Sequence, residues 1–228
     1  MRKGLEPQKL AGIYDRVSRR YDVQHALLTA RSDQRGRQLA VGQTVNPGDN
    51  VLDCGAGTGS TSLLAARKTG ARGKVTLFDM SAGMLGVAKI RLEKAGLLDR
   101  AVFATGDMTA LPFDDGSFDV VLTTYSLCPL YDPVKGALEM LRVLKPGGRI
   151  GAAHSCEPRN ALVRHLANGV ESVVWHFPAL SLGCRSVSIL PVLERTGARK
   201  IFERHIGVPL WPFVVFAVEK PARKDRPA

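Results

Sequence analysis

The chain has 228 residues, 45% of them hydrophobic, which supports one sizeable core and leaves little room for a second domain. Its formal net charge of +11 implies attraction to something acidic, whether nucleic acid, an anionic bilayer surface or a negatively charged substrate; a merely basic surface is the plain alternative. Cys54, Cys128, Cys156 and Cys184 lie far apart with no C-x-x-C pair, which argues against a disulfide scaffold and a cysteine-held metal.

Met1 to Pro7 lacks the apolar core of a signal peptide, and the longest apolar run, Val208 to Val218, contains two prolines and falls short of the ~20 residues that span a bilayer. The expectation is a soluble, cytoplasmic protein, with peripheral membrane contact left open. Over residues 8–42 Leu10, Ile13, Val17 and Tyr21 recur at helical spacing with Arg16, Arg19 and Arg20 elsewhere, so an amphipathic N-terminal extension is predicted. His25 lies near its end, where a lone histidine serves structure more often than catalysis. Arg31, Arg35 and Arg37 form a basic cluster that suits an anionic interface or a solvated helix face.

Asn46-Pro47-Gly48-Asp49 turns the chain into a first strand, Asn50 to Asp53, which breaks into Cys54-Gly55-Ala56-Gly57-Thr58-Gly59. Glycines there take positive φ and put no Cβ between main chain and ligand, and the helix that follows, Thr61 to Lys68, offers free N–H groups to a polar or negative group. A dinucleotide dehydrogenase could use such a loop, so the neighbours decide. A second strand, Lys74 to Asp79, ends in an acid able to accept from a ribose diol. Ser81 caps a helix carrying Met84, Leu85, Ala88, Leu92 and Ala95, with Gly96 as its stop. A third strand, Ala101 to Thr105, ends at Gly106-Asp107-Met108, pairing an acceptor for an exocyclic amine with a flat apolar side chain, which suits adenine.

The fourth strand, Phe118 to Thr123, leads to Thr124-Tyr125-Ser126-Leu127-Cys128-Pro129, and a helix from Pro133 to Leu144 turns through Lys145-Pro146-Gly147-Gly148 into a fifth strand, Arg149 to His154. Residues 158–186 read as a helical cover bearing Trp175, His176 and Phe177. Ser188 to Thr196 reads as a helix, Lys200 to His205 and Pro212 to Val218 as strands, and Pro221 to Ala228 as a disordered tail. Alternating strands and helices predict parallel β-α-β units with a ligand at the carboxyl ends of the strands.

The run Asp53-x-Gly55-x-Gly57-x-Gly59, then Asp79, then Gly106-Asp107-Met108 with Leu111-Pro112-Phe113 and Phe118-Asp119, resembles class I S-adenosylmethionine-dependent methyltransferases. Tyr14-Asp15-Arg16-Val17-Ser18-Arg19-Arg20-Tyr21-Asp22 and Leu141-Arg142-Val143-Leu144-Lys145-Pro146-Gly147-Gly148-Arg149 are similar to the ubiquinone/menaquinone-biosynthesis branch, and the likeness covers residues 12–155. It implies an α/β, Rossmann-like class I methyltransferase fold, with a seven-stranded, mostly parallel sheet, an antiparallel last strand and helices on both faces. Within one domain the divisions would be a lid (1–45), a cofactor-binding core (46–157), a substrate cover (158–187), a C-terminal helix and strands (188–220) and the tail (221–228).

The implied cofactor is S-adenosyl-L-methionine, with S-adenosylhomocysteine as product and no metal. Carried over position by position, Asp53 orients the loop and Gly55, Ala56, Gly57, Thr58 and Gly59 approach the methionine part. Asp79 with Met80 takes the ribose, Gly106, Asp107 and Met108 take the adenine, and Thr124 touches the cofactor. Tyr21, and less so Tyr14, reach in from the lid. Transfer from a sulfonium needs alignment and exclusion of water, plus a base where the nucleophile carries a proton. The candidates are His154, Tyr125 and His25, although the relatives carry an acid where this chain has His154.

A small lipophilic acceptor, a quinone-like ring or a phospholipid head group, suits the apolar set Trp175, Phe177, Leu180, Trp211 and Phe213. The alternatives are an RNA or protein methyltransferase, suggested by charge alone, and a non-catalytic protein that binds S-adenosylmethionine. Nucleic acid is disfavoured because no Asn/Asp-Pro-Pro-aromatic run follows the fourth strand. The oligomeric state stays open.

Overall fold

The computed structural model describes residues 6–18, 20–22, 29, 32–174 and 184–222. Among the described residues, helices α1 (Pro7–Val17) and α2 (Ser32–Thr44) precede an alternating series: β1 (Asn50–Cys54), α3 (Ser60–Thr69), β2 (Lys74–Asp79), α4 (Ala82–Lys94) and β3 (Ala101–Thr105). Next come β4 (Phe118–Thr124), α5 (Pro133–Val143), β5 (Leu144–Ser155), α6 (Ala161–Val174), α7 (Leu190–Arg195), β6 (Arg199–Val208) and β7 (Trp211–Glu219). The strands form one sheet in the order β3-β2-β1-β4-β5-β7-β6. Strands β1 to β5 pair in parallel, and β7 lies between β5 and β6, antiparallel to both.

Local chemistry explains the boundaries. The Ser81 hydroxyl accepts from the Met84 amide (3.0 Å) to cap α4, and Gly96 at φ +67 follows its end. Asp132 caps α5 by accepting from the Lys135 amide, and Pro133 supplies the preset φ of a first helical turn. Both faces of the sheet are covered. Leu52, Phe78, Val121 and Ile150 pack with Met140 and Val143 of α5 and Leu193 of α7, while Val51, Val75, Leu77 and Val120 pack with Ala65, Ala66, Ala88 and Leu92 of α3 and α4. Central strands therefore read as continuous apolar runs.

Three local expectations change. Helix α2 is not lid: Ala40 packs with Tyr125, Ala153, Phe213 and Val215, because its buried positions Asp33, Gly36, Arg37, Ala40, Val41 and Thr44 make one stripe along the helix. Strand β5 begins at Leu144, since Leu144 already pairs with Phe118, and Lys145 to Gly148 forms an irregularity within the strand before Arg149 pairs with Val120. Helix α7 opens only at Leu190, where Pro191 occupies the first turn, and β6 runs on to Val208 as a hairpin partner of β7. His25, Arg31, Trp175, His176, Phe177, Leu180 and most of the tail lie outside the described residues.

Candidate functional site

Sheet order reverses between β1 and β4, and at that switch a cleft opens at the carboxyl ends of the strands. Gly55, Ala56, Gly57 and Thr58 line it from the turn after β1, Asp79 and Met80 from β2, Gly106 and Met108 from β3, and Thr124, Tyr125 and Ser126 from β4. Leu10, Tyr14 and Tyr21 close over it, and Arg37 enters from α2.

The loop glycines do different work. Gly57, at φ +54, has open space where a side chain would start, so its backbone faces the cleft. A Cβ on Gly55 would lie 2.3 Å from the Ser126 Cβ, and one on Gly59 would lie 2.8 Å from the Ala88 Cβ. Gly59 is absent from the cleft lining; it lets α3 and α4 pack closely. The Asp79 carboxylate accepts from the Gly57 amide (2.8 Å) and the Ser81 amide (2.9 Å), so one acid shapes the loop and borders the cleft. Burial pushes its pKa up, and the two amides pull it back.

Asp53 and Asp107 stand behind this surface. Asp53 is fully buried, accepts from the Ser62 hydroxyl, and is pushed up to about 6 by desolvation; it borders the loop's support rather than the cleft. Asp107 accepts from the Thr109 amide (2.8 Å) and the Tyr131 hydroxyl (3.0 Å), while its neighbours Gly106 and Met108 reach the cleft. Two further acids fasten the N-terminal segment. Asp15 accepts from the Ser81 hydroxyl and the Gly83 amide (3.1 Å) at the start of α4, and Asp22 accepts from Thr58 in the loop (2.7 Å) and pairs with Arg91. They seat the Tyr14 and Tyr21 rings, 5.9 Å apart, over the cleft; burial pushes both phenols up.

Arg37 was read from sequence as part of an exposed basic cluster. It is 7% exposed: its Nη1 donates to Thr61 (3.1 Å) and Thr124 (2.9 Å), its Nε lies 3.7 Å from Asp33, and its guanidinium sits 5.1 Å from the Tyr125 ring centroid. Tyr125 itself is at φ +62, the one non-glycine residue among those described with positive φ, and its hydroxyl donates to the Asp33 carbonyl. Gly36 makes room for it, since a Cβ there would lie 2.2 Å from the Tyr125 hydroxyl. Burial pushes the Tyr125 phenol up, so it keeps its proton and donates.

His154, expected at the cleft as a base, is instead a core residue. It is 1% exposed, its Nδ1 lies 3.0 Å from the Ser155 carbonyl, its ring meets Phe216 edge-on, and burial pushes its pKa down to about 4. Pairing with Val214 of β7 encloses the end of β5, so a strand terminus there does not reach the cleft. Phe213 is likewise buried against Tyr125, whereas Trp211 lines a separate cavity. The cleft thus offers a guanidinium and a carboxylate on either side of the glycine-loop backbone, with an apolar thioether and aromatic rings between. That set suits a zwitterionic ligand carrying a flat ring.

Residues 2–168 match the model of the ubiE/COQ5 methyltransferase family. Over 161 residues the chain is 44% identical to the demethylmenaquinone methyltransferase of Clavibacter sepedonicus, covering 70% of this chain and 63% of that protein. Over 146 residues it is 38% identical to the ubiquinone/menaquinone biosynthesis C-methyltransferase UbiE of Stenotrophomonas maltophilia, covering 63% and 58%. The match thus spans about three fifths of these curated relatives' length. The [4+2]-cyclase SpnF superposes with a TM-score of 0.73 at 19% identity, covering 96% of this chain and 98% of that one. Geranyl diphosphate methyltransferase in complex with SAM superposes at 0.67 and 18%, covering 82% and 85%. Such low identities speak for a shared fold.

Proposed function

The chain belongs to the ubiE/COQ5 methyltransferase family, and from that premise we propose that it transfers a methyl group from S-adenosylmethionine to a small lipophilic acceptor, a quinone-like ring or a phospholipid head group. The observation that carries this reading is the placement of Arg37 and Asp79 in one cleft with the Gly55–Thr58 loop between them. S-adenosylmethionine supplies, when bound, an electrophilic methyl on a positive sulfur. Arg37 would hold the amino-acid carboxylate as a charge-assisted partner, and the loop backbone, left bare at Gly57, would lie against the same part. Asp79 would accept from the ribose, and Gly106 with Met108 would border the adenine.

The chain's own contribution to rate is alignment and dryness. Tyr125, Ser126, Pro129 and Leu130 border the end of the cleft left for the acceptor, and Leu10, Tyr14 and Tyr21 exclude water from above. The Tyr125 hydroxyl donates to the Asp33 carbonyl, so the ring is fixed as a wall of this end of the cleft. Calorimetric titration with S-adenosylhomocysteine, followed by labelled-methyl transfer into a total lipid extract beside total RNA, tests the reading. Binding with label in one lipid species supports it. Label only in RNA would make the +11 charge the better guide to the acceptor, and absence of binding would overturn the assignment of the loop.

A further inference from the structure

The turn joining β6 to β7 stands at the carboxyl end of β5, because Ser155 pairs with Phe213 two residues from the start of β7. Its side chains are apolar and uncovered: Val208 is 47% exposed and Leu210 50%, with Pro209 exposed between them. A groove of about 520 Å³, lined in part by Pro158, Val163, His205 and Pro209, separates this turn from the first turn of α6. There Leu162, at 71%, is the most exposed large hydrophobic side chain among the described residues.

Beside the groove a second, small cavity is lined by Leu210, Trp211, Ser155, Cys156, Cys184 and Arg185. The Ser155 amide donates to the Cys128 sulfur (3.2 Å), and the next two residues, Pro129 and Leu130, line the cofactor cleft. Exposed apolar tip, second cavity and acceptor end of the cleft therefore follow one another along one edge of the sheet.

Charge indicates what covers the tip. Arg159 and Arg164 are exposed at the start of α6; of the acids at this end, Glu157 is exposed and lines the groove, and Glu203, also exposed, is engaged by Lys200 (2.8 Å) and His205 (3.3 Å). Asn160 rather than an acid caps α6, accepting from the Leu162 amide (2.9 Å). Apolar side chains flanked by Arg159 and Arg164 match the boundary of an anionic bilayer, where apolar burial and attraction to lipid phosphate add.

We propose that the β6–β7 tip and the start of α6 are the face with which this protein rests on an anionic lipid surface, Leu162, Val208 and Leu210 entering the headgroup boundary while Arg159 and Arg164 meet phosphate. This deepens the proposed function by naming where its lipophilic acceptor is met, and only the acceptor's part rests on that reading.

The test is co-sedimentation of the full chain with vesicles of phosphatidylcholine alone or mixed with phosphatidylglycerol, together with two double variants, Leu162→Glu/Leu210→Glu and Arg159→Glu/Arg164→Glu. The unaltered chain is expected to sediment with the anionic vesicles only, and each variant to partition at least about tenfold less. All three should keep the same melting temperature and the same affinity for S-adenosylhomocysteine. Equal sedimentation of variants and parent, equal binding to neutral vesicles, or a dimer of the parent that the leucine variant splits would each overturn the proposal. Failure to bind S-adenosylhomocysteine would strike the proposed function instead and leave the vesicle result standing.

Discussion

The sheet's two wings, β1 to β3 on one side and β5 to β7 on the other, meet at β4 and use their carboxyl ends differently. The first wing supplies the cleft with main chain and strand-end residues: Gly57, Asp79, Gly106 and Met108. From the second wing no described residue lines that cleft; its strand ends are closed over by packing, as at His154 and Phe213, and it builds a cavity of its own. A ligand of fixed shape is met by backbone that a short motif can specify. The proposed acceptor end would instead draw on segments far apart in sequence, the β4 end and α2.

The largest expected effect lies in the first wing. Gly55→Ala combines a positive φ with a Cβ 2.3 Å from Ser126, and should cost about 3–5 kcal/mol, seen as a collapse of the melting temperature. If the variant melts normally, the loop is looser than the contrast requires.

Next comes His154. Its pKa, about 4 in the fold, lies below the ~6.5 of an unfolded histidine, so the unfolded chain takes the proton first. Stability should therefore fall as pH drops from about 6.5 toward 4, by up to about 3 kcal/mol. Asp53 opposes it: raised from 3.8 to about 6, it contributes stability at low pH that is lost as pH climbs through that window. His154→Leu should flatten the acid-side loss in urea titrations at pH 7 and 4.5 while leaving turnover at pH 7 within about twofold. A collapse of turnover would return His154 to the chemistry.

Arg37→Met should weaken S-adenosylhomocysteine about 10–100-fold and leave 5′-methylthioadenosine, which lacks the carboxylate, little changed. Equal losses for both ligands would reduce Arg37 to a packing role. The mildest effect is Gly36→Ala, expected to lose about 1–3 kcal/mol to the Tyr125 hydroxyl and to recover part of it when combined with Tyr125→Phe; the double-mutant cycle reads the contact directly.

Legibility in the sequence follows the same division. Strands, the glycine loop, the Ser81 cap and the acids at strand ends are local patterns, and each occupies its expected element. Proximity in sequence groups Arg37 with Arg31 and Arg35, whereas its side chain is buried against the sheet. The signal was nonetheless present: Asp33, Gly36, Arg37, Ala40, Val41 and Thr44 repeat at helical spacing, putting Arg37 on the stripe that faces the sheet. His154 failed for the opposite reason, since a strand end is at the cleft only if nothing pairs beyond it, and β7 comes from sixty residues further along the chain. Tyr125 could be placed but its left-handed backbone could not, because that strain is held by distant groups, Gly36 and Phe213.

The position of β7 also sets an order of assembly. During synthesis β6 is made first but has no sheet edge to join until Trp211 to Glu219 slides between it and β5. Until then β5 presents an open edge of unpaired amides and carbonyls, a template for association with other chains. A nascent chain therefore stays exposed to aggregation until its last strand arrives, and a truncation before Trp211 would leave it so permanently.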